Sequence, residues 1–200
     1  MAIKIKQVVW LGIFLSVLIW SVINPKDPVI WMLEVSPALI ALFILVVTRN
    51  RYPLTPLTYS LILVHAIILM IGGHYTYAEV PLFDDLWGME RNNYDKVGHF
   101  AQGLVPAIIA REILIRASVV SGKRWMEFIV LSITLAISAL YELLEWAVAL
   151  TSEEAADAFL GTQGYVWDTQ ADMATALLGA AVALLLLSKL HDRQLLQLNR

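Results

Sequence analysis

The sequence predicts an all-α fold, a six-helix transmembrane bundle with its N- and C-termini cytoplasmic. Three observations carry that reading. Of 200 residues, 59% are hydrophobic and only 16% charged, with a mean hydropathy of +0.70, whereas soluble domains average about 25% charged. Six apolar stretches approach the ~20 residues needed to cross ~30 Å of hydrocarbon. Finally, Lys and Arg fall almost entirely on alternate connections, as the positive-inside rule requires.

The first span runs from about Val8 to Ile23 and is stopped by Asn24-Pro25. Lys4 and Lys6 precede it as in a signal peptide, but Ser21-Val22-Ile23-Asn24-Pro25 offers no small-x-small cleavage site, so the segment reads as a retained helix. The second span covers about 29–47, with Glu34 and Pro37 in its first turns, and the third about 57–73. The fourth, fifth and sixth cover about 97–115, 126–150 and 171–190. Lipid offers no partners for backbone N–H and C=O groups, so each span must be helical. The whole of 1–200 reads as one integral membrane domain, with no internal repeat or low-complexity stretch.

With the N-terminus inside, the cytoplasmic face receives eleven cations: Lys4, Lys6, Arg49, Arg51, Arg111, Arg116, Lys123, Arg124, Lys189, Arg193 and Arg200. The outer face receives three, Lys26, Arg91 and Lys96. The two long loops, 74–96 and 151–170, then face outward. They are acidic (Glu79, Asp84, Asp85, Glu90; Glu153, Glu154, Asp157) and carry aromatics such as Trp87, Tyr94, Tyr165 and Trp167. Loops beyond ~12–15 residues are commonly functional, although an interfacial aromatic belt has the same composition. There is no cysteine, which excludes disulfides, thiolate metal sites and a cysteine nucleophile.

Function is legible in the ionisable residues near the outer face. A charge within lipid costs roughly 2.5–3.5 kcal/mol on insertion scales, so such residues are rare unless they pair, line water or bind something. Asp95 and His99, four apart, share a face of helix four, with Gln102 close to it. Glu142 and Glu145, three apart, lie one to two turns below the outer end of helix five. Asp168 and Asp172 repeat the four-residue spacing where the second long loop enters helix six. His74 follows Gly72-Gly73 at the outer end of helix three, and Glu34 lies at similar depth.

Two half-buried glutamates are unstable as neighbouring bare charges, and a divalent cation resolves this, since hard cations take carboxylate oxygens and imidazole suits zinc, iron or manganese. The candidate metal ligands are therefore His74, Asp95, His99, Glu142, Glu145, Asp168 and Asp172. Glu142, Glu145 and His99 are the candidate catalytic groups. Such an ion, of identity the residues do not select, would polarise a phosphoryl or carbonyl oxygen and activate water.

Structural roles compete for the same residues. Asp95 can cap helix four, Asp168 or Thr169 can cap helix six, and Asp–Arg91, Glu–Lys96 or Glu–His99 pairs can brace the bundle. His65, mid-helix among apolar neighbours, reads as an interhelical hydrogen bonder. Arg111, Glu112 and Arg116 at the inner end of helix four read as snorkelling or an Arg–Glu pair, and His191 as part of a solvated tail. Gly179-Ala180-Ala181 with Ala174, Ala176 and Ala183 reads as a close helix–helix contact.

The motifs Asp95-Lys96-Val97-Gly98-His99-Phe100, Tyr141-Glu142-Leu143-Leu144-Glu145-Trp146 and Trp167-Asp168-Thr169-Gln170-Ala171-Asp172-Met173 resemble the YjdF-like family of small bacterial inner-membrane proteins. The resemblance covers most of the chain and implies a bacterial inner-membrane location, but no reaction. A wider similarity, to VanZ-like membrane proteins, rests on Asp-Lys-x-x-His-Phe at 95–100, an acidic residue on the next helix and an Asp before a small-residue helix. Here the second motif carries two glutamates and the third two aspartates, and the N-terminus is longer.

These residues give three functional expectations. The leading one is a metal-assisted hydrolase or transferase acting at the outer leaflet on a lipid or lipid-linked head group, although the Lys-x6-Arg-Pro, Ser-Gly-His and Gly-x-Ser-x-Gly signatures are absent. The second is a proton- or cation-coupled transporter using Glu142, Glu145, His65 and Glu34. The third is a non-catalytic envelope factor. The expected partner is the lipid bilayer, with a head group as candidate ligand and no nucleic acid; oligomeric state is left open.

Overall fold

The computed structural model describes residues 5–81, 92–150 and 165–198. Much of both long loops, including Asp84, Asp85, Trp87, Glu90, Arg91, Glu153, Glu154 and Asp157, lies outside the described residues, as do Lys4 and Arg200. The described residues form six helices and no strand: α1 (Ile5–Val22), α2 (Pro28–Thr48), α3 (Pro56–Tyr75), α4 (Tyr94–Arg116), α5 (Lys123–Ala149) and α6, which runs from Asp168 to Leu198 through a π-helical segment at Ala183–Leu187.

Local chemistry sets the ends. Asp27 caps α2 by accepting from the N–H groups of Val29 and Ile30 at 2.7 and 3.0 Å, with Pro28 at the first helical position. Thr55 and Pro56 do the same for α3. Pro37 has no N–H to give to Leu33, and the Ser36 hydroxyl donates to that carbonyl instead, at 2.8 Å.

Five helices, α1, α2, α3, α5 and α6, are long and apolar enough to cross a membrane. Their outward faces carry Val29, Phe43, Val47, Leu140, Leu143, Leu185 and Leu186, each more than half exposed, a belt that water would not tolerate. α4 falls short because Lys96, His99, Gln102, Arg111 and Glu112 interrupt it, yet it is central, packing on α3, α5 and α6. Burial inside the bundle is what makes those polar residues tolerable.

The interior has three clusters. Phe14, Val35, Ala38, Ala66, Leu69 and Met70 join α1, α2 and α3. Ala107, Ile108, Val130, Ala180 and Ala183 join α4, α5 and α6. Leu45, Ile62 and Val105 bridge the two halves. α4 and α6 approach most intimately: a Cβ on Gly103 would overlap the Ala176 carbonyl, and one on Gly179 the Phe100 carbonyl. Ala176, Ala180 and Ala183 are fully buried in this contact, as the small-residue pattern predicts, whereas Ala174 faces outward.

The end of α6 departs from the sequence reading. It does not stop near residue 190, and His191 is not in a solvated tail but fully buried. The reason is a polar node around Glu112, also fully buried. Glu112 accepts from the Thr55 N–H (2.9 Å) and hydroxyl (2.9 Å), the Thr58 hydroxyl (2.6 Å) and Arg116 (3.2 Å), with His191 Nε2 at 3.1 Å. Gln194 accepts from the Leu57 N–H at 2.7 Å, so the last turns of α6 are tied to the start of α3. The expected Arg–Glu pair is present, but as one spoke of a larger node. Glu112→Ala removes the acceptor of the buried Thr55 N–H and the carboxylate that faces Arg116 and His191, so it is expected to destabilise the bundle by ~3–5 kcal/mol, read as a lowered denaturation midpoint in detergent.

Candidate functional site

The α4–α6 contact sets the first turns of both helices side by side. Lys96 on α4 lies between the two aspartates of α6, its Nζ 2.7 Å from Asp168 Oδ1 and 2.5 Å from Asp172 Oδ1, with Asp95 Oδ2 at 3.4 Å. The His99 ring is one turn deeper and 5% exposed. Its Nε2 lies 3.2 Å from Asp95 Oδ1 and 3.8 Å from Asp172 Oδ1; its Nδ1 lies 3.3 Å from Gln102 Oε1 and 3.8 Å from Glu142 Oε1. One donor atom from each of Asp95, His99 and Asp172 falls within 4.8 Å of the others, a spacing that can hold a metal ion.

α5 contributes Glu142 from a buried stripe at four-residue spacing, Val130, Thr134, Ser138 and Glu142. Among the described residues, Glu142 Oε1 is buried with no hydrogen-bond partner, as is Ser138 Oγ one turn deeper. Orphaned buried oxygens are uncommon and point to something that meets them, such as water or an ion. Glu145 is half-buried, about one turn further along α5. Glu34 on α2 accepts from the Tyr141 hydroxyl at 2.9 Å, and the Tyr141 ring meets His99 edge-on at 6.3 Å.

Asp95, His99, Glu142, Asp168 and Asp172 thus share one neighbourhood. His74 has other contacts: its Nδ1 lies 3.0 Å from the Ser21 carbonyl of α1, and its ring packs on Trp20 and Tyr75. The helix caps are Asn93 for α4 and Trp167 for α6, neither with a side-chain cap bond, and Asp95 and Asp168 lie in the first turns instead. Sequence reasoning missed the placement of Lys96 between two carboxylates, for which one lysine in a first turn gives no signal. It also missed the Thr134-Ser138-Glu142 stripe, which four-residue spacing could have revealed.

A multi-helix apolar fold enclosing carboxylates, an imidazole and an ammonium defines an integral membrane protein with a polar interior site. The chain belongs to the family described as "Predicted membrane protein (DUF2238)", whose model matches residues 6–193. It is 53% identical over 182 residues to inner membrane protein YjdF of Escherichia coli (strain K12), covering 90% of this chain and 87% of that protein. No solved structure matches the chain. The chain is a multi-pass inner membrane protein, as its sequence resemblance implies.

Proposed function

We propose that this protein is a metal-dependent membrane enzyme acting on a lipid or lipid-linked head group at the outer leaflet. In this reading all six helices span the membrane, both termini are cytoplasmic, and the first turns of α4 and α6 open outward, following the eleven-to-three cation bias. The observation that carries it is the trio Asp95, His99 and Asp172 with the orphaned Glu142 Oε1 beside the ring. Three carboxylates (Asp95, Asp168 and Asp172) surround one ammonium, and a fourth, Glu142, lies beside the His99 ring, an acidic surplus that a bound cation would offset.

Asp95, His99 and Asp172 would hold a divalent ion, whose chemistry there is to polarise a phosphoryl or carbonyl oxygen. Glu142, whose Oε1 accepts no hydrogen bond among the described residues, would take a proton from attacking water. Lys96, tied to Asp168 and Asp172, would hold these carboxylates in place beside the ion. Glu145 is a second carboxylate for the same task, and His74 an outer candidate ligand on α3.

The test is elemental analysis of detergent-purified protein beside a Glu142→Ala/Asp172→Ala variant. One or two equivalents of a divalent metal, lost in the folded variant, are expected. Metal-free protein in both samples would instead favour a second reading, a proton path. That reading draws on the Glu34–Tyr141 bond, the Thr134-Ser138-Glu142 stripe, and the Glu112–His191 node in the inner half. Proton flux in proteoliposomes, abolished by Glu142→Gln, is its signature.

A further inference from the structure

Sixteen residues beyond Asp95 on α4, about 24 Å along the helix, Arg111 lines a second feature. A cavity of about 410 Å³ opens between α4, α5 and α6, bounded by three cations (Arg111, Lys123 and Lys189) and two carboxylates (Glu127 and Asp192), with Met126 and Leu184 among its apolar walls. The fold explains the space. The π-helical segment Ala183–Leu187 widens α6 at Leu184. The turn between α4 and α5 passes through two positive-φ residues, Ser118 and Gly122, and a Cβ on Gly122 would meet nothing.

Cations from three helices converge here. The Arg111 side chain is 11% exposed; its Nη2 donates to Asp192 Oδ1 at 2.6 Å and its Nη1 lies 3.1 Å from His191 Nδ1. A guanidinium has five N–H donors, so this leaves three. Lys123 is 3.6 Å from Glu127 but 87% exposed, and such a pair holds its cation weakly. Lys189 has no ion pair among the described residues. Trp125 and Phe128, 64% and 61% exposed and packed edge to face, mark this level as the membrane–water interface. Leu185 and Leu186, 79% and 72% exposed, continue from the cavity along the lipid face.

We propose that this cavity binds the phosphate of an anionic phospholipid from the inner leaflet, with Arg111, Lys123 and Lys189 holding the head group and the acyl chains lying along Leu185 and Leu186. Basic pockets between spans on the cytoplasmic side recognise such lipids by charge and depth. The proposal shares the membrane orientation of the reading above and is independent of its metal.

Native mass spectrometry of the full chain in detergent tests it, with phosphatidylglycerol, phosphatidylcholine of the same acyl chains, and inorganic phosphate as probes. One phosphatidylglycerol is expected to bind at least tenfold more tightly than phosphatidylcholine, roughly one unit of charge recognition. Lys123→Gln/Lys189→Gln should weaken it about thirty-fold, at roughly 1 kcal/mol per basic residue. Both lysines are exposed, so the fold should persist, and Met126→Trp, which fills the cavity without changing charge, should also displace the lipid. Asp172→Asn should leave lipid binding unchanged. Equal binding of the two lipids, or unaltered phosphatidylglycerol binding in both cavity variants, overturns the proposal. Displacement of the lipid by an equal concentration of inorganic phosphate also overturns it, because the site would then read free phosphate.

Discussion

Lys96→Met is expected to lower the stability of the polar site and, on the proposed metal reading, to make that stability depend on added metal. Lys96 is the ammonium that balances Asp168 and Asp172, whose side chains are 7% and 4% exposed. Removing one partner from a buried ion pair typically costs ~3–5 kcal/mol, because the surviving charges are left uncompensated. The lower end applies here, as the Lys96 side chain is itself 22% exposed. A lowered thermal unfolding midpoint in metal-free detergent would show this loss.

The response to metal separates the two accounts of the cluster. If Asp95, His99 and Asp172 form a metal site, removing the adjacent ammonium lowers repulsion of the ion. Manganese or zinc at about a hundred times its Kd should then restore ~2.7 kcal/mol. If the cluster is only a brace for the bundle, Lys96→Met falls equally but no divalent ion rescues it. Adding Asp172→Asn to Lys96→Met sharpens the contrast. It relieves the charge imbalance while removing a ligand, so stability should partly return and the response to metal should vanish.

The architecture was legible because its determinants are local. Apolar length, Asp27 before Pro28, Thr55 before Pro56 and the small-residue run of α6 each act within a few residues of where they are written. The pairing of Asp95 with His99 was legible for the same reason, since a four-residue step fixes a shared face. What sequence could not give was contact between helices. Glu112 meets Thr55, Thr58 and His191 across separations of 57, 54 and 79 residues. His191 was read as solvated because its neighbours are polar, yet those neighbours, Arg111-bound Asp192 and Leu57-bound Gln194, are themselves held by other helices. Lys96 was similarly ambiguous: its partner on α6 is set by helix packing, and a lysine at a helix start is ordinary on any solvated surface. Glu34 meets the cluster through Tyr141, a partner 107 residues away that no local pattern names.

Gly103→Leu is expected to be the most damaging single change in the transmembrane region, and its effect should reach the polar site. A Cβ at this position overlaps the Ala176 carbonyl, which is backbone and cannot rotate away as a side chain would. Over-packing a core costs ~1–3 kcal/mol where side chains can yield, and more where they cannot. Here α4 and α6 must separate, so ~3 kcal/mol or more is expected, read as a lowered unfolding midpoint and reduced yield of monodisperse protein. Lipid provides no hydrophobic force to press helices back together, so van der Waals contact between small residues is much of what holds the pair. Gly179→Val should act alike through the Phe100 carbonyl. Separation by even an ångström also lengthens the Lys96 contacts to Asp168 and Asp172 and spreads the donor atoms of Asp95, His99 and Asp172. If the cluster holds the proposed ion, Gly103→Leu protein that still folds should therefore lose metal content together with stability. By contrast, Gly12→Leu on α1, where a Cβ would meet nothing, should change neither. Bound metal unchanged in folded Gly103→Leu protein would mean that the α4–α6 contact does not set the geometry of the site.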